Sequence, residues 1–145
     1  MVDRIAKKDV HLPKCLDVLI HLPTSKELKN SGVCLAHALE YNISTMGFSP
    51  AEALEKLVNL VIDHCERAID KGINPIRIAD QFYWAAFALG EPMADTYAQV
   101  RTRVSKALIK TFGSPEREVE VRDVSNKQEE SGKYDLQELA ESNAL

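Results

Sequence analysis

Hydrophobic and polar positions alternate over the first third of the chain. In KCLDVLIHL, residues 14–22, Leu16, Val18, Ile20 and Leu22 take every second place, and Cys15, Asp17, Leu19 and His21 take the others. That is the period of a half-buried strand. After the polar stretch PTSKELKNSG, the odd positions from Val33 to Thr45 read Val, Leu, His, Leu, Tyr, Ile, Thr. The even positions from Cys34 to Ser44 read Cys, Ala, Ala, Glu, Asn, Ser. Because strands usually run to about 5–6 residues, the pattern predicts a tight turn near Glu40–Asn42 dividing this run in two. The expectation is a three-stranded antiparallel meander with one strongly apolar face. On its second face Cys15, Leu19, Cys34, Ala36 and Ala38 are too small and apolar to be simply solvated. Either a helix of the same chain or a second subunit is expected to cover them.

The period then changes from two to between three and four. Leu54, Leu57, Val58, Val61, Ile62, Cys65, Ala68 and Ile69 form one stripe, opposite Glu55, Lys56, Asn59, Asp63, Glu66, Arg67 and Asp70. Ser49 suits the N-cap and Pro50 the first helical position, and Glu52 sits where its carboxylate reaches back to the Ser49 amide. Gly72, with Lys71 in the last turn, ends the helix. At about 1.5 Å per residue such a helix is long enough to lie across the meander. A second helix is predicted from Pro75 to Leu89, apolar nearly all round through Phe82, Trp84 and Phe87. Gly90-Glu91-Pro92 breaks it, and a third helix is predicted over 92–112. Beyond Pro115, Val119 and Val121 alternate with charges in EREVEVRDV, which predicts a short edge strand within 117–124. NKQEESGK has the composition of a linker, and YDLQELAESNAL that of a frayed terminal helix.

Charge divides the chain in the same way. Residues 1–113 carry 14 Lys and Arg against 13 Asp and Glu, and residues 114–145 carry 4 against 9, so the net −4 belongs to the tail. The tail is therefore expected to be acidic and largely flexible, and the near-neutral body gives no broad electrostatic case for nucleic acid. No apolar run resembles a membrane span or the core of a signal peptide, which points to a cytoplasmic protein. Cys15, Cys34 and Cys65 contain no CxxC pair and fit reduced thiols.

Candidate chemistry is sparse. Cys34-x-x-His37 has a metal-like spacing, but residues three apart on a strand face opposite ways, so no metal is expected there. There is no glycine-rich phosphate loop, GxSxG elbow or HExxH, and no cofactor is expected. His37 interrupts the apolar positions of its strand, as a backbone-bonded imidazole or as a proton-transfer group of a small enzyme. Arg101, Arg103, Lys106 and Lys110 make the predicted third helix basic, so helices 75–89 and 92–112 could together form a DNA-binding helix-turn-helix. Against that, the would-be recognition helix opens with Pro92-Met93-Ala94-Asp95-Thr96, whose one charge is acidic.

The stretch GVCLAHALEYNISTMGFSPAEALEKLVNLVIDHCERAI resembles the HicB-like family, in which a strand pair leads through a glycine into a Ser/Thr-x-x-Glu-Ala cap and a long amphipathic helix. Gly47, Ser49 and Glu52-Ala53 are the matching residues, and the resemblance spans roughly residues 15–71. It implies a β-β-β-α unit of the double-stranded-RNA-binding type, often a homodimer. It also implies a non-enzymatic regulatory or interaction protein whose partner is a protein, such as a small toxin-like ribonuclease, with RNA as a further ligand.

The expected architecture is therefore α+β. A β-β-β-α domain over 1–72 is followed by a helical extension over 73–113, packed on the same core or forming a dimer interface, and by the tail over 114–145. Leu19, Ala36, Ala38, Phe82, Trp84 and Phe87 are the expected partner or dimer surface.

Overall fold

The computed structural model describes residues 15–25, 31–93 and 118–143. Strands β1 (Cys15–His21), β2 (Cys34–Ala38) and β3 (Ile43–Gly47) form the antiparallel meander, and helix α1 (Pro50–Asp70) follows. Helix α2 (Gln81–Leu89), strands β4 (Glu91–Pro92) and β5 (Glu118–Asp123), and helices α3 (Ser125–Ser131) and α4 (Leu136–Ser142) complete the described elements. The fold is α+β, with a mixed five-stranded sheet in the order β3-β2-β1-β5-β4 and four helices among the described residues.

The turn between β2 and β3 falls where the pattern predicts it, with Asn42 in the left-handed region at φ 51°. Its length sets which face each residue takes. Ala38 pairs with Ile43 and Ala36 with Thr45, so even positions of β2 share a face with odd positions of β3. Against β1, Ala38 pairs with Val18 and Ala36 with Ile20. Leu16, Val18, Ile20, Cys34, Ala36 and Ala38 thus lie together on the face that α1 covers. This corrects the expected partner surface, because the small residues Ala36 and Ala38 are fully buried under α1. Their size brings the helix close to the sheet.

Helix α1 has the predicted frame. The Ser49 hydroxyl accepts from the Glu52 amide at 3.1 Å, Pro50 begins the helix, and Gly72 follows it at φ 70°. Glu52 pairs with Lys56 at 3.0 Å instead of reaching back to the cap. Leu54, Leu57, Val58, Val61, Cys65, Ala68 and Ile69 are buried along one side, where each large apolar side chain contributes on the order of 1.5–3 kcal/mol. Gly47 lets the helix start close to the strand end, since a Cβ there would lie 2.6 Å from the Ala53 nitrogen.

Helix α2 begins at Gln81, six residues later than predicted. Residues 73–80 form an irregular strap instead. The Asn74 side chain accepts from the Ile76 amide, Pro75 is buried, and the amides of Arg77 and Ala79 donate to Glu40 and Leu39 carbonyls at 3.0 and 2.9 Å. Those two bonds hold the strap to the β2–β3 turn, and helix would forfeit them. Helix α2 then packs on the sheet face opposite α1, where Ala86 and Phe87 meet Leu19, Leu39, Val124, Leu136 and Leu139.

Two further expectations change. The 117–124 strand is present as β5, but it lies inside the sheet, parallel to β1, with Val18 opposite Val121. The segment expected to be a flexible acidic tail is folded over 118–143. Glu129, Glu130, Asp135, Glu138 and Glu141 are exposed, while Leu136 and Leu139 are buried against the second face. Gln128 holds it in place, being fully buried with Oε1 accepting from the Leu22 amide at 2.7 Å. Its Nε2 donates to the carbonyls of Leu22 and Tyr134 at 3.2 and 2.8 Å. Pro92 belongs to β4, and from residue 94 the predicted third helix lies outside the described residues.

Candidate functional site

Two features of the second sheet face combine polar groups with accessible space. The first is built from the ends of β1 and β2. Leu19 opposes His37 and Leu35 opposes His21, so both histidines project from the face that α2 and α4 cover. The His21 Nδ1 donates to the Leu22 carbonyl at 3.1 Å, and its Nε2 is buried with no hydrogen-bond partner. Burial lowers its pKa to about 4, the neighbouring His37 adding to the effect, and the ring is neutral at ordinary pH. His37 donates from Nε2 to the Asn42 side-chain oxygen at 2.8 Å, and burial lowers its pKa as well. The Tyr83 ring lies against His37, with centroids 4.3 Å apart, and Phe82 lies against Tyr83 at the same separation.

Beside these rings opens a cleft of about 350 Å³, lined by His21, Pro23, Leu35, Met46, Phe82 and Tyr83 and bounded by the start of α4 at Asp135 and Leu136. At the other end of β1, Glu40 accepts from the Asp17 amide through Oε1 at 2.9 Å. Burial, reinforced by a hydrogen bond with the Asp17 side chain, pushes the Glu40 carboxyl up to about 8. It is the acid form that belongs in this site.

The second feature is the outer edge of the meander. Strand β4, at the far edge, has two residues and includes Pro92, which has no amide hydrogen to pair. Strand β3, ISTMG, carries no charge and no proline along its five residues. Met46 is 48% exposed and Phe48, just after the strand, 74% exposed. Lys56 donates to the Met46 carbonyl at 3.3 Å.

The sequence-predicted residues fall into distinct places. Leu19 and Phe87 meet within the core between the sheet and α2, and Phe82 and Trp84 flank it half-buried. Ala36 and Ala38 are on the other side of the sheet. Arg101, Arg103, Lys106 and Lys110 lie outside the described residues. Helix α2 leads through Gly90 into β4, and from residue 94 the predicted second helix of a helix-turn-helix lies outside the described residues. Cys34 lies in the α1 core while His37 is on the opposite face, as strand parity requires. Among the described residues, no three His, Cys, Asp or Glu side chains converge to hold a metal ion. Burial raises the thiol pKa of Cys34 and, to about 12, that of Cys65. No described helix is long and apolar enough to cross a membrane.

Sequence reasoning missed His21, Tyr83, Glu40 and Gln128. His21 occupies the same alternate series as Leu19, which was a usable signal. The other three depend on contacts between distant segments and leave no local pattern.

Compared with known proteins, the chain matches no family model, no curated protein and no solved structure.

Proposed function

We propose that this chain is a non-enzymatic, HicB-like interaction protein that binds a protein partner along the outer edge of β3. The observation that carries this reading is the asymmetry of the two sheet edges. Open strand edges invite pairing with another chain, and proteins usually blunt them with charge, proline or brevity. Strand β4 has the last two of these devices, whereas the five residues of β3 include no charge and no proline, with Met46 and Phe48 exposed beside it and the Lys56 ammonium bonded to the Met46 carbonyl. An extended segment of a partner that adds to β3 gains main-chain hydrogen bonds from the edge and side-chain contacts from Met46 and Phe48. The β-β-β-α order and the close Gly47–Ala53 approach are consistent with the family resemblance, and a small toxin-like ribonuclease is the partner that resemblance suggests. His37, with Tyr83 over its ring and Asn42 on its Nε2, is read as a structural group.

The test is co-expression with the product of the adjacent gene, followed by size-exclusion chromatography with light scattering. The wild-type chain is expected to elute as a complex, and a Ser44→Lys/Phe48→Lys variant as the free chain with unchanged circular dichroism. Both substitutions add charge to the edge without touching the lining of the cleft. A complex that survives them refutes the assignment of the edge, and a homodimer abolished by them identifies a second copy as the occupant.

A further inference from the structure

We propose that the cleft between the sheet and helices α2 and α4 is the pocket for one aromatic side chain of the partner strand that adds to β3. The inference rests on the edge reading above and names the partner's anchor. The register of the sheet carries it. His21 pairs with Leu35 and Leu35 with Met46, so the three form one row across β1, β2 and β3. All three line the cleft, and the row is its floor. Successive side chains of a strand point to opposite faces, and residues paired across strands share a face. The next place in the row, beyond Met46, belongs to whatever strand pairs with the open edge of β3. The partner residue opposite Met46 therefore faces the cleft, and its two sequence neighbours face the α1 side. The Lys56 ammonium on the Met46 carbonyl does not close this place, because a carbonyl oxygen has two lone pairs and Lys56 reaches it from α1, on the other side of the sheet.

Reach and chemistry select an aromatic residue. Neighbouring strands lie roughly 4.8 Å apart, so a methyl group at the outer place stops short of the cleft, whereas a ring side chain leans over Met46 into it. Met46 is 48% exposed, and that surface is what such a ring covers. Phe82 and Tyr83 of α2 stand above the floor with their rings 4.3 Å apart, and Leu136 of α4 closes the far side. Aromatic rings pack favourably on one another and on a thioether sulfur, which Met46 supplies. The Tyr83 wall is set in advance, because its ring lies on His37, whose Nε2 is bonded to Asn42 in the β2–β3 turn. The volume of about 350 Å³ accommodates one such side chain.

The probes are two short peptides of alternating Thr and Val with Lys at both ends, alike except for Phe or Ala at the centre. In titrations of the full chain followed by NMR, both peptides are expected to shift the Ser44 and Met46 amides, which report the edge. The Phe peptide is expected to bind at least about tenfold more tightly, a ratio that burial of one large apolar side chain supports. It also gives the Met46 and Leu136 methyls ring-current shifts that the Ala peptide does not produce. Gln137 lines the cleft from an exposed position on α4, so Gln137→Trp fills the pocket without entering the core. That variant is expected to bind the two peptides equally, and Ser44→Lys/Phe48→Lys to bind neither. If Gln137→Trp does not fold, the ring-current shifts of the wild type decide alone. Equal binding of both peptides to the wild type, with the edge amides shifted, overturns the pocket and leaves the edge reading standing. A Phe preference that survives Gln137→Trp, or one without ring-current shifts, does the same. Edge amides unmoved by either peptide at millimolar concentration overturn the edge reading and the pocket together.

Discussion

Replacing Gln128 by Met tests whether the C-terminal segment is fastened to the sheet through one side chain. Met has nearly the same length and fills the same space, but it removes three hydrogen bonds. The Leu22 carbonyl keeps its bond from His21 Nδ1, so two backbone groups, the Leu22 amide and the Tyr134 carbonyl, lose these partners. An unsatisfied buried group costs about 1–3 kcal/mol. Leu22 and Tyr134 are half-buried, so water offsets part of this, and the expected loss is about 2–3 kcal/mol of a total stability of roughly 5–15. For a chain of this size that is a fall in Tm of roughly 5–10 °C. Urea titration followed at 222 nm should show a lower midpoint with an unchanged slope, and hydrogen exchange should show the Leu22 amide losing protection together with residues 134–143. Glu129→Ala, on the exposed side of α3, should stay within about 0.5 kcal/mol of wild type. A Gln128→Met midpoint equal to wild type, or an unchanged Leu22 amide, refutes the fastening.

Two other substitutions probe the frame. Gly47→Ala places a Cβ 2.6 Å from the nitrogen and 3.0 Å from the Cα of Ala53, so it should cost about 1–3 kcal/mol in the same urea titration. Because the clash is with backbone, adding Ala53→Gly should not restore stability, and a double variant close to wild type would show the reasoning wrong. Glu40 has a folded pKa near 8, above its unfolded value, so its contribution is full below the unfolded pKa and is lost as pH rises toward 8. Thermal melts of the wild type should therefore decline from about pH 5 to pH 9 more steeply than those of Glu40→Gln, which keeps an acceptor for the Asp17 amide. Parallel declines would sink the assignment.

The elements that could be read from sequence were those whose signals are local. Ser49, Pro50 and Gly72 mark α1 because cap and stop residues act within one helical turn. The alternation in 14–22 and the turn at 40–42 were legible for the same reason. The sharing of faces across the β2–β3 turn was not, because it depends on the number of turn residues and not on either strand's own pattern. Treating Val33–Thr45 as one alternating series put Ala36 and Ala38 on the wrong side. The early start predicted for α2 failed where the Arg77 and Ala79 amides found carbonyls on another segment. Residues 126–133 looked like a linker because their composition is polar, and 134–145 like a frayed terminal helix, yet a few apolar side chains and one buried amide suffice to dock the segment. Of the residues lining the cleft, Phe82 was singled out, and His21 gained its meaning from β1–β2 pairing and from Leu22.

The parallel pairing of β1 with β5 also bears on how the chain is made. On the ribosome, β1, β2, β3 and α1 emerge well before residue 118, and at about 5–20 residues per second the interval from α1 to β5 is roughly 2–10 s. Throughout that interval the flank of β1 that pairs with β5 lacks that partner, and it closes only when residues 118–123 arrive. A polypeptide released before residue 118 keeps β1 unpaired on that flank, with Leu19 lacking its cover of Val124, Leu136 and Leu139. Such a fragment exposes a strand edge and apolar surface of the kind that favours aggregation, so the 118–143 segment serves as a latch over β1.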